Sequence, residues 1–300
     1  MSRIKSDGYI DRAASDLESY FLQGAYVDDN TLIKALVFGG HEITYQSWNG
    51  VEDWQIEQYG RTFNSAGAIY DEDENVVDYY DNEVDDYKQD HFQLHWNEQV
   101  SANWNTNLAI HYTRGRGFFE QYRQDDDFAT YGFEPVTIDG DLVNTTDLIR
   151  RRWLSNHFYG TTFSVTYENE TMEFIAGGAW NKYEGDHFGE IIWARYAGDS
   201  EIRDRYYDDN STKTDFNSFA KLNYKLTDNL SLYGDLQYRR VTYQANGDDT
   251  GLVDDEFDFF NPKAGLTYSL NEANNLYFSY ARANREPNRN DYESGSPEPE

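Results

Sequence analysis

Residues 216–238 read FNSFAKLNYKLTDNLSLYGDLQY. In the first half the even positions are Phe216, Ser218, Ala220, Leu222, Tyr224 and Leu226, and the odd ones are Asn217, Phe219, Lys221, Asn223 and Lys225. One side is mostly apolar and the other mostly polar, the period of a strand that separates two unlike environments. After Thr227-Asp228-Asn229 the apolar side resumes with Leu230, Leu232, Gly234, Leu236 and Tyr238. A three-residue turn centred on Asp228 predicts Leu226 opposite Leu230 and Tyr224 opposite Leu232. The apolar faces then agree across the hairpin, as a sheet requires.

The same unit recurs outward in both directions. Phe92, Leu94 and Trp96 share one face, as do Trp104, Leu108, Ile110 and Tyr112. Phe163–Tyr167 turns through Glu168-Asn169 into Met172, Phe174, Ala176 and Trp180. Ala264, Leu266, Tyr268 and Leu270 precede a turn at 271–275, and Leu276, Phe278 and Tyr280 follow it. Asp16–Val27 and Thr31–Thr44 form a first hairpin around Asp28-Asp29-Asn30, with its faces unassigned. The reading gives about ten strands of about 10–16 residues.

The connections alternate in length. Tight turns fall near 28–30, 99–103, 168–169, 227–229 and 271–275, and long polar segments near 45–86, 121–149, 186–212, 245–256 and from 285 onward. A meander with short turns at one end and long loops at the other is the layout of a transmembrane β-barrel, whose strands need about ten residues to cross. Trp104, Tyr167 and Tyr26 near the tight turns suit an aromatic girdle. A soluble sandwich or propeller is the competing fold, but it has shorter strands and no such alternation.

Composition narrows the function. The 300 residues carry 55 acids against 25 Lys and Arg, a formal charge of −30. Such a chain repels phosphate backbones, so no nucleic-acid partner is expected. Without cysteine there is neither a disulfide framework nor a thiolate zinc site. The acidity does not mark disorder, because 26 Tyr, 18 Phe and 7 Trp crowd the chain. No apolar run is long enough for a helical span, and the first residues lack a signal-peptide core.

Longer stretches resemble a known family. FNPKAGLTYSL (260–270) followed by NNLYFSYARANREPNRNDY (274–292) looks like a late barrel hairpin of TonB-dependent outer-membrane receptors. SDGYIDRA (6–13), FGGHEITYQSWNGV (38–51), YYDNEVDDYKQDHFQLHW (79–96), DLIRRRWLSNHFYGTTFS (147–164) and GDHFGEIIWARYAGDSEIRDRYYDD (185–209) resemble other barrel stretches of that family. The resemblance implies an all-β antiparallel meander forming part of a 22-stranded barrel around a plug. It implies that residues 1–300 are a partial barrel domain, a curved open sheet in isolation, with the plug, TonB-contacting segment and closing strands lying outside it. It further implies a non-enzymatic importer in the outer membrane of a Gram-negative bacterium. Such a receptor takes up a ferric siderophore, haem, cobalamin or a similar scarce nutrient with TonB-supplied energy. The implied partners are outer-membrane lipid, the plug, the TonB complex and an extracellular small molecule; no cofactor is implied.

The residues offer several candidate sites. Trp193, Tyr196, Tyr206 and Tyr207, with Arg195, Arg203 and Arg205 among them, form the preferred ligand-contact loop, since aromatics stack and arginines pair with anions. Packing between loops is the alternative. Arg150-Arg151-Arg152 is expected to begin a strand beside a long loop, as an anion lure or a rim that offsets acids. His91, His95 and His111 share the polar parity; a turn centred on Ser101 sets His91 against His111, a weak metal or haem candidate. The acidic runs at 71–74, 85–86, 125–127 and 254–256 lack a calcium-loop spacing and read as solvated loop. No nucleophile elbow, phosphate loop or zincin motif is present. The alternative function is a soluble, acidic all-β carbohydrate-binding or glycoside-hydrolysing module.

Overall fold

A computed structural model describes residues 1–248 and 251–293; the polar tail 294–300 and the tip at 249–250 lie outside the described residues. In chain order the elements are β1 (Ser2–Ser6), β2 (Ser15–Val27), β3 (Thr31–Tyr45), α1 (Asp53–Tyr59), β4 (Ala68–Tyr70), β5 (Val76–Tyr79), β6 (Val84–Ser101) and β7 (Trp104–Asp127). A 3-10 turn (Phe128–Tyr131), β8 (Val136–Ile138), β9 (Asp141–Val143), β10 (Thr145–Glu168), β11 (Met172–Ala194) and β12 (Arg205–Thr227) follow. β13 (Leu230–Gly247), β14 (Gly251–Phe260), β15 (Lys263–Asn271), β16 (Asn274–Ala281) and α2 (Arg289–Glu293) complete the described chain.

One antiparallel sheet takes twelve strands in the order β1-β2-β3-β6-β7-β10-β11-β12-β13-β15-β16, with β14 also on β13. β1 and β16 do not pair with each other, so the meander is open. β14 and β15 share one position in the wall: Tyr238 faces Phe260 and Asp235 faces Lys263. Asn261-Pro262 interrupts them because proline has no N–H to give the ladder. β4–β5 and β8–β9 are small ribbons inside two of the long connections.

The tight turns close by local side-chain chemistry. Asn169 Oδ1 accepts the N–H groups of Thr171 and Met172 at 2.9 and 2.8 Å. Asn271 Oδ1 accepts that of Ala273 at 3.0 Å, and Thr227 Oγ1 that of Leu230 at 3.0 Å. The last bond alters the expected register. Tyr224 faces Leu232 as predicted, but Thr227 faces Leu230 and Leu226 is displaced in a bulge.

Two expectations about length are corrected. The principal strands run to 24 residues, against the 10–16 expected, and β1 is a strand that no alternation announces. Much of 121–149, 186–212 and 245–256 is strand rather than loop: β7 reaches Asp127, β11 and β12 are bridged by only 195–204, and β13 and β14 continue to 247 and from 251. The physical reason is that beyond the apolar band both sheet faces are wet. Period two then vanishes while the backbone ladder continues.

Large apolar side chains gather on one face. Phe92, Leu94 and Trp96 of β6 stand beside Leu108, Ile110 and Tyr112 of β7, all exposed. The band continues through Phe163, Trp180, Phe216, Leu232 and Leu266 on the later strands. We call this face outer and the opposite one inner, as a membrane barrel requires. At the tight-turn end Trp104 and Tyr167 meet with ring centroids 4.9 Å apart. The eight steps from Trp104 to Tyr112 span about 27 Å along the strand, or roughly 20 Å of height at a typical barrel tilt. That matches an apolar belt about 25 Å tall.

Above the band, the connection 46–83 is pinned by buried polar groups. Gln46 Nε2 donates to the carbonyls of Val84 and Glu120 at 3.1 and 3.0 Å, and Asn64 Nδ2 donates to the carbonyl of Gln46 at 2.8 Å. The Arg12 guanidinium lies 3.5 Å from the Tyr79 ring centroid and donates to the carbonyls of Asn64 and Ala66. Glu83 accepts the Tyr122 N–H at 2.9 Å. Burial pushes this carboxyl up to about 7.

Candidate functional site

The inner wall above the band carries an ordered row across four strands. Register sets Phe119 of β7 opposite Arg152 of β10, Arg152 opposite Gly189 of β11, and Gly189 opposite Tyr207 of β12. The Arg152 guanidinium carbon lies 5.5 Å from the Phe119 ring centroid and 5.4 Å from that of Tyr207. Arg152 Nε donates to Tyr207 Oη at 3.1 Å. The cation thus sits between two aromatic faces, the geometry in which an arginine is attracted to rings.

Glycine makes the row possible. A Cβ on Gly189 would stand 2.2 Å from Tyr206 Cζ and 2.5 Å from Tyr207 Cε1. Trp48, from the 46–83 connection, places its edge on Phe119, with centroids 5.9 Å apart and planes at 87°. The connection therefore reaches over the same wall. Below the row lies a concavity of about 410 Å³ whose lining includes Glu42, Asp85, Tyr87, Leu154 and His187. Burial, then the neighbouring carboxylates of Glu42 and Asp86, raises the Asp85 carboxyl. Burial lowers His187, with Arg289 acting in the same direction, so the imidazole favours its neutral form.

The arginine triplet lies inside β10, not at its start, and alternates between faces. Arg150 points inward, donating to Gln121 Oε1 at 2.9 Å and Tyr131 Oη at 3.1 Å. Arg151 points outward to Glu120 at 2.5 Å and covers the Phe118 ring at 4.2 Å. It is not one basic rim.

The seven loop candidates are also divided. Tyr207 lines the inner concavity, and Tyr206 packs behind it against Tyr131, centroids 4.9 Å apart. Burial pushes the Tyr206 hydroxyl up to about 12. Arg205 turns to the outer face, 3.7 Å from the Phe188 ring centroid and paired with Asp208 at 2.6 Å. Trp193 is exposed at the end of β11 opposite Ile149. Arg195 is held by Asp147 at 2.5 Å, and the Tyr196 N–H donates to Thr146 Oγ1 at 2.9 Å. Arg203 is exposed, with φ of 71° and its N–H on the Ile191 carbonyl at 2.7 Å.

The histidine pairing is corrected. His91 faces Thr113 and His111 faces Gln93, because the turn closes through Ala102-Asn103, with Ser101 opposite Trp104, rather than around Ser101. His91 stacks on Phe38, centroids 4.5 Å apart, and shares a 2.9 Å hydrogen bond with Thr113 Oγ1; His111 does so with Asn181 Oδ1 at 2.9 Å. Among the described residues no cluster of three His, Asp or Glu is arranged to hold a metal, and this includes the acidic runs.

Sequence reading reached Tyr207 and Arg152 but missed Phe119, Trp48, Tyr87 and His187. The available signal was the alternation Gly115, Gly117, Phe119 on the inward parity of β7, small residues leading to one large ring.

Comparison with known proteins agrees with this architecture. The family described as TonB dependent receptor-like, beta-barrel matches residues 25–299. The chain belongs to that family, whose members are transport receptors rather than enzymes. The closed form of the ferric-catecholate import receptor Fiu from E. coli K12 is similar, with a TM-score of 0.63 at 13% identity over 97% of this chain and 46% of that one. The siderophore receptor PiuA from Acinetobacter baumannii gives 0.61 at 12% identity, covering 95% and 44%. The ferric citrate transporter FecA in its unliganded form gives 0.62 at 11%, covering 97% and 40%. This chain spans under half the length of these structures. No curated protein matches it by sequence.

Proposed function

We propose that residues 1–300 form part of the barrel domain of an outer-membrane receptor of a Gram-negative bacterium. The receptor imports a scarce nutrient, with energy supplied through TonB, and the plug fills the lumen that this wall helps to enclose. The observation that carries the reading is the inward row Phe119–Arg152–Tyr207, roofed by Trp48. Two rings flank a cation, which suits a small anion with flat or aromatic parts. An anionic ferric chelate fits that description better than cobalamin. The names of Fiu, FecA and PiuA lend support, since each denotes a ferric or siderophore receptor. A soluble carbohydrate module is disfavoured by the exposed apolar band, a surface that water penalises.

The test is ligand titration of the complete receptor carrying these residues, purified in detergent. Ferric catecholate, ferric citrate, haem and cobalamin are each titrated against wild type and Arg152→Gln. Binding of an anionic chelate that weakens in the variant supports the reading. Equal binding by both proteins removes Arg152 from the site, and binding of none of the four removes the importer reading for these nutrients.

A further inference from the structure

The connection 46–83 is anchored on both sides of a short span. Gln46 is buried at its start, with its carboxamide on the carbonyls of Val84 and Glu120. Glu52 closes the far side, its N–H donating to Gln55 Oε1 at 2.8 Å where α1 begins. Between them residues 47–51 are exposed and belong to no helix or strand. This span carries Trp48, the ring that roofs Phe119. The two residues after it are Asn49 and Gly50.

An asparagine followed by glycine sets an electrophile beside a nucleophile. The backbone nitrogen of the second residue reaches the side-chain Cγ of the first, because glycine has no Cβ to obstruct the approach. A hydrogen-bonded backbone prevents this by holding the nitrogen in place. Among the described residues neither Asn49 nor Gly50 makes a hydrogen bond. Nothing lies within 4 Å of the point where a Cβ on Gly50 would stand. The chain's other Asn-Gly pair is the opposite case: Asn246 is held between Asn210 of β12 and Leu252 of β14, and Gly247 faces Gly251.

We propose that Asn49 is a site of spontaneous deamidation, and that conversion there shifts the Trp48 roof. Gly50 N loses its proton and attacks Asn49 Cγ. The Cγ–Nδ2 bond breaks and ammonia leaves with that proton, closing a cyclic imide. Water then opens the ring. Attack on the Cγ carbonyl restores the ordinary chain, with aspartate in place of asparagine. Attack on the backbone carbonyl breaks its bond to Gly50 N, and the main chain then runs through the former side chain as isoaspartate. Either route takes in water and releases ammonia, with no oxidant, metal or enzyme.

The isoaspartate matters most for the roof. It adds a carbon to the backbone inside a span fixed at Gln46 and Glu52, so the slack is taken up around Trp48. Both products also place a new negative charge beside a wall that the proposed function gives to an anion. The chemistry at Asn49 stands apart from that reading; only its effect on capture rests on it.

The experiment ages the complete receptor in detergent at mildly alkaline pH, where Gly50 N deprotonates more readily. Its peptides are mapped by electron-transfer mass spectrometry, which separates aspartate from isoaspartate. Asn49 is expected to convert about fivefold faster than Asn246, because a paired ladder must open before Gly247 can turn. Gly50→Ala should slow conversion at Asn49 alone, and Asn49→Gln, whose longer side chain closes a less favourable ring, should stop it. Hydroxyl-radical footprinting is the second readout: Trp48 should oxidise faster in aged wild type than in either aged variant. Unchanged unfolding midpoints of the fresh proteins certify that the variants fold. Asn49 that stays an amide, or converts no faster than Asn246, overturns the proposal. Conversion with an unchanged Trp48 footprint overturns the shift of the roof. Ferric citrate that fails to bind even the fresh receptor counts against the proposed function alone.

Discussion

Arg152 of β10 and Tyr207 of β12 share a 3.1 Å hydrogen bond although all of β11 lies between their strands. The contact passes over Gly189, the one position in the row without a side chain. A long side chain and a ring can span a strand only where the middle residue leaves the space open. The candidate site therefore depends on a residue that contributes no atoms to it.

Gly189→Ala should disturb that contact. The added methyl would meet the Tyr206 and Tyr207 rings at 2.2–2.5 Å, and rings wedged between Tyr131 and Arg152 have little room to retreat. Overpacking of this kind costs about 1–3 kcal/mol. Gly234→Ala is the control, since nothing lies within 4 Å of the point where its methyl would stand on the outer face. Urea unfolding of the receptor in detergent should show a lowered midpoint for the first variant and not the second.

Arg152→Lys should separate charge from shape. Lysine keeps the cation but has neither the flat group that lies between Phe119 and Tyr207 nor the Nε donor to Tyr207. Affinity for an anionic chelate should fall by about tenfold, or about 1.4 kcal/mol, in Arg152→Lys and further in Arg152→Gln. Isothermal titration with the chelate checks the order; Lys equal to wild type would leave only a charge requirement.

Glu83 should make the 46–83 connection pH-sensitive. Its carboxyl is raised to about 7 by burial, so the folded protein keeps a proton that the unfolded chain has already released. Its contribution to stability is fully present below the ordinary carboxylate range and is lost as pH rises through about 7. Hydrogen exchange corrected for intrinsic rates should show the amides near Gln46 and Tyr122 better protected at about pH 6 than at about pH 8. Glu83→Gln should flatten the difference, and greater protection at the higher pH would contradict the account.

His91→Ala should leave metal or haem binding unchanged in the complete receptor. Its ring lies on Phe38 and its nitrogen meets Thr113, while His111 is occupied by Asn181 on another strand. Absorbance titration with haem and with a divalent metal decides this; a clear loss of affinity would restore His91 as a ligand.

The hairpin at 216–238 was readable because one face meets an apolar environment and the other water, which writes alternation into the sequence. The tight turns were readable for a similar reason, since Asn169, Thr227 and Asn271 close them with their own side chains. Legibility failed where those causes stop. In Asp208–Thr214 and Glu184–Ile191 both faces are polar or mixed, so continuous strand reads as loop. The 99–103 turn was misplaced because it closes through Ala102-Asn103, with Ser101 opposite Trp104, and a one-residue bulge follows at Gln99, whose Nε2 donates to the Ser101 carbonyl at 2.6 Å. Phe119 and Arg152 were hidden for a longer-range reason. They meet only through the register of strands 33 positions apart in sequence, which no local pattern records.

The strands that continue past the apolar band carry one further consequence, for how a charged solute approaches. Arg152 lies seven steps beyond Tyr159, the β10 partner of Tyr112, which is roughly 18 Å above the band's upper edge. At physiological salt, surface charge is felt over only about 8 Å. A solute reaching Arg152 therefore stands about one screening length above the lipid headgroups, where their field is already attenuated. Its encounter is governed chiefly by the receptor's own charges, so the capture rate should respond more steeply to protein substitutions than to the lipid composition around the barrel.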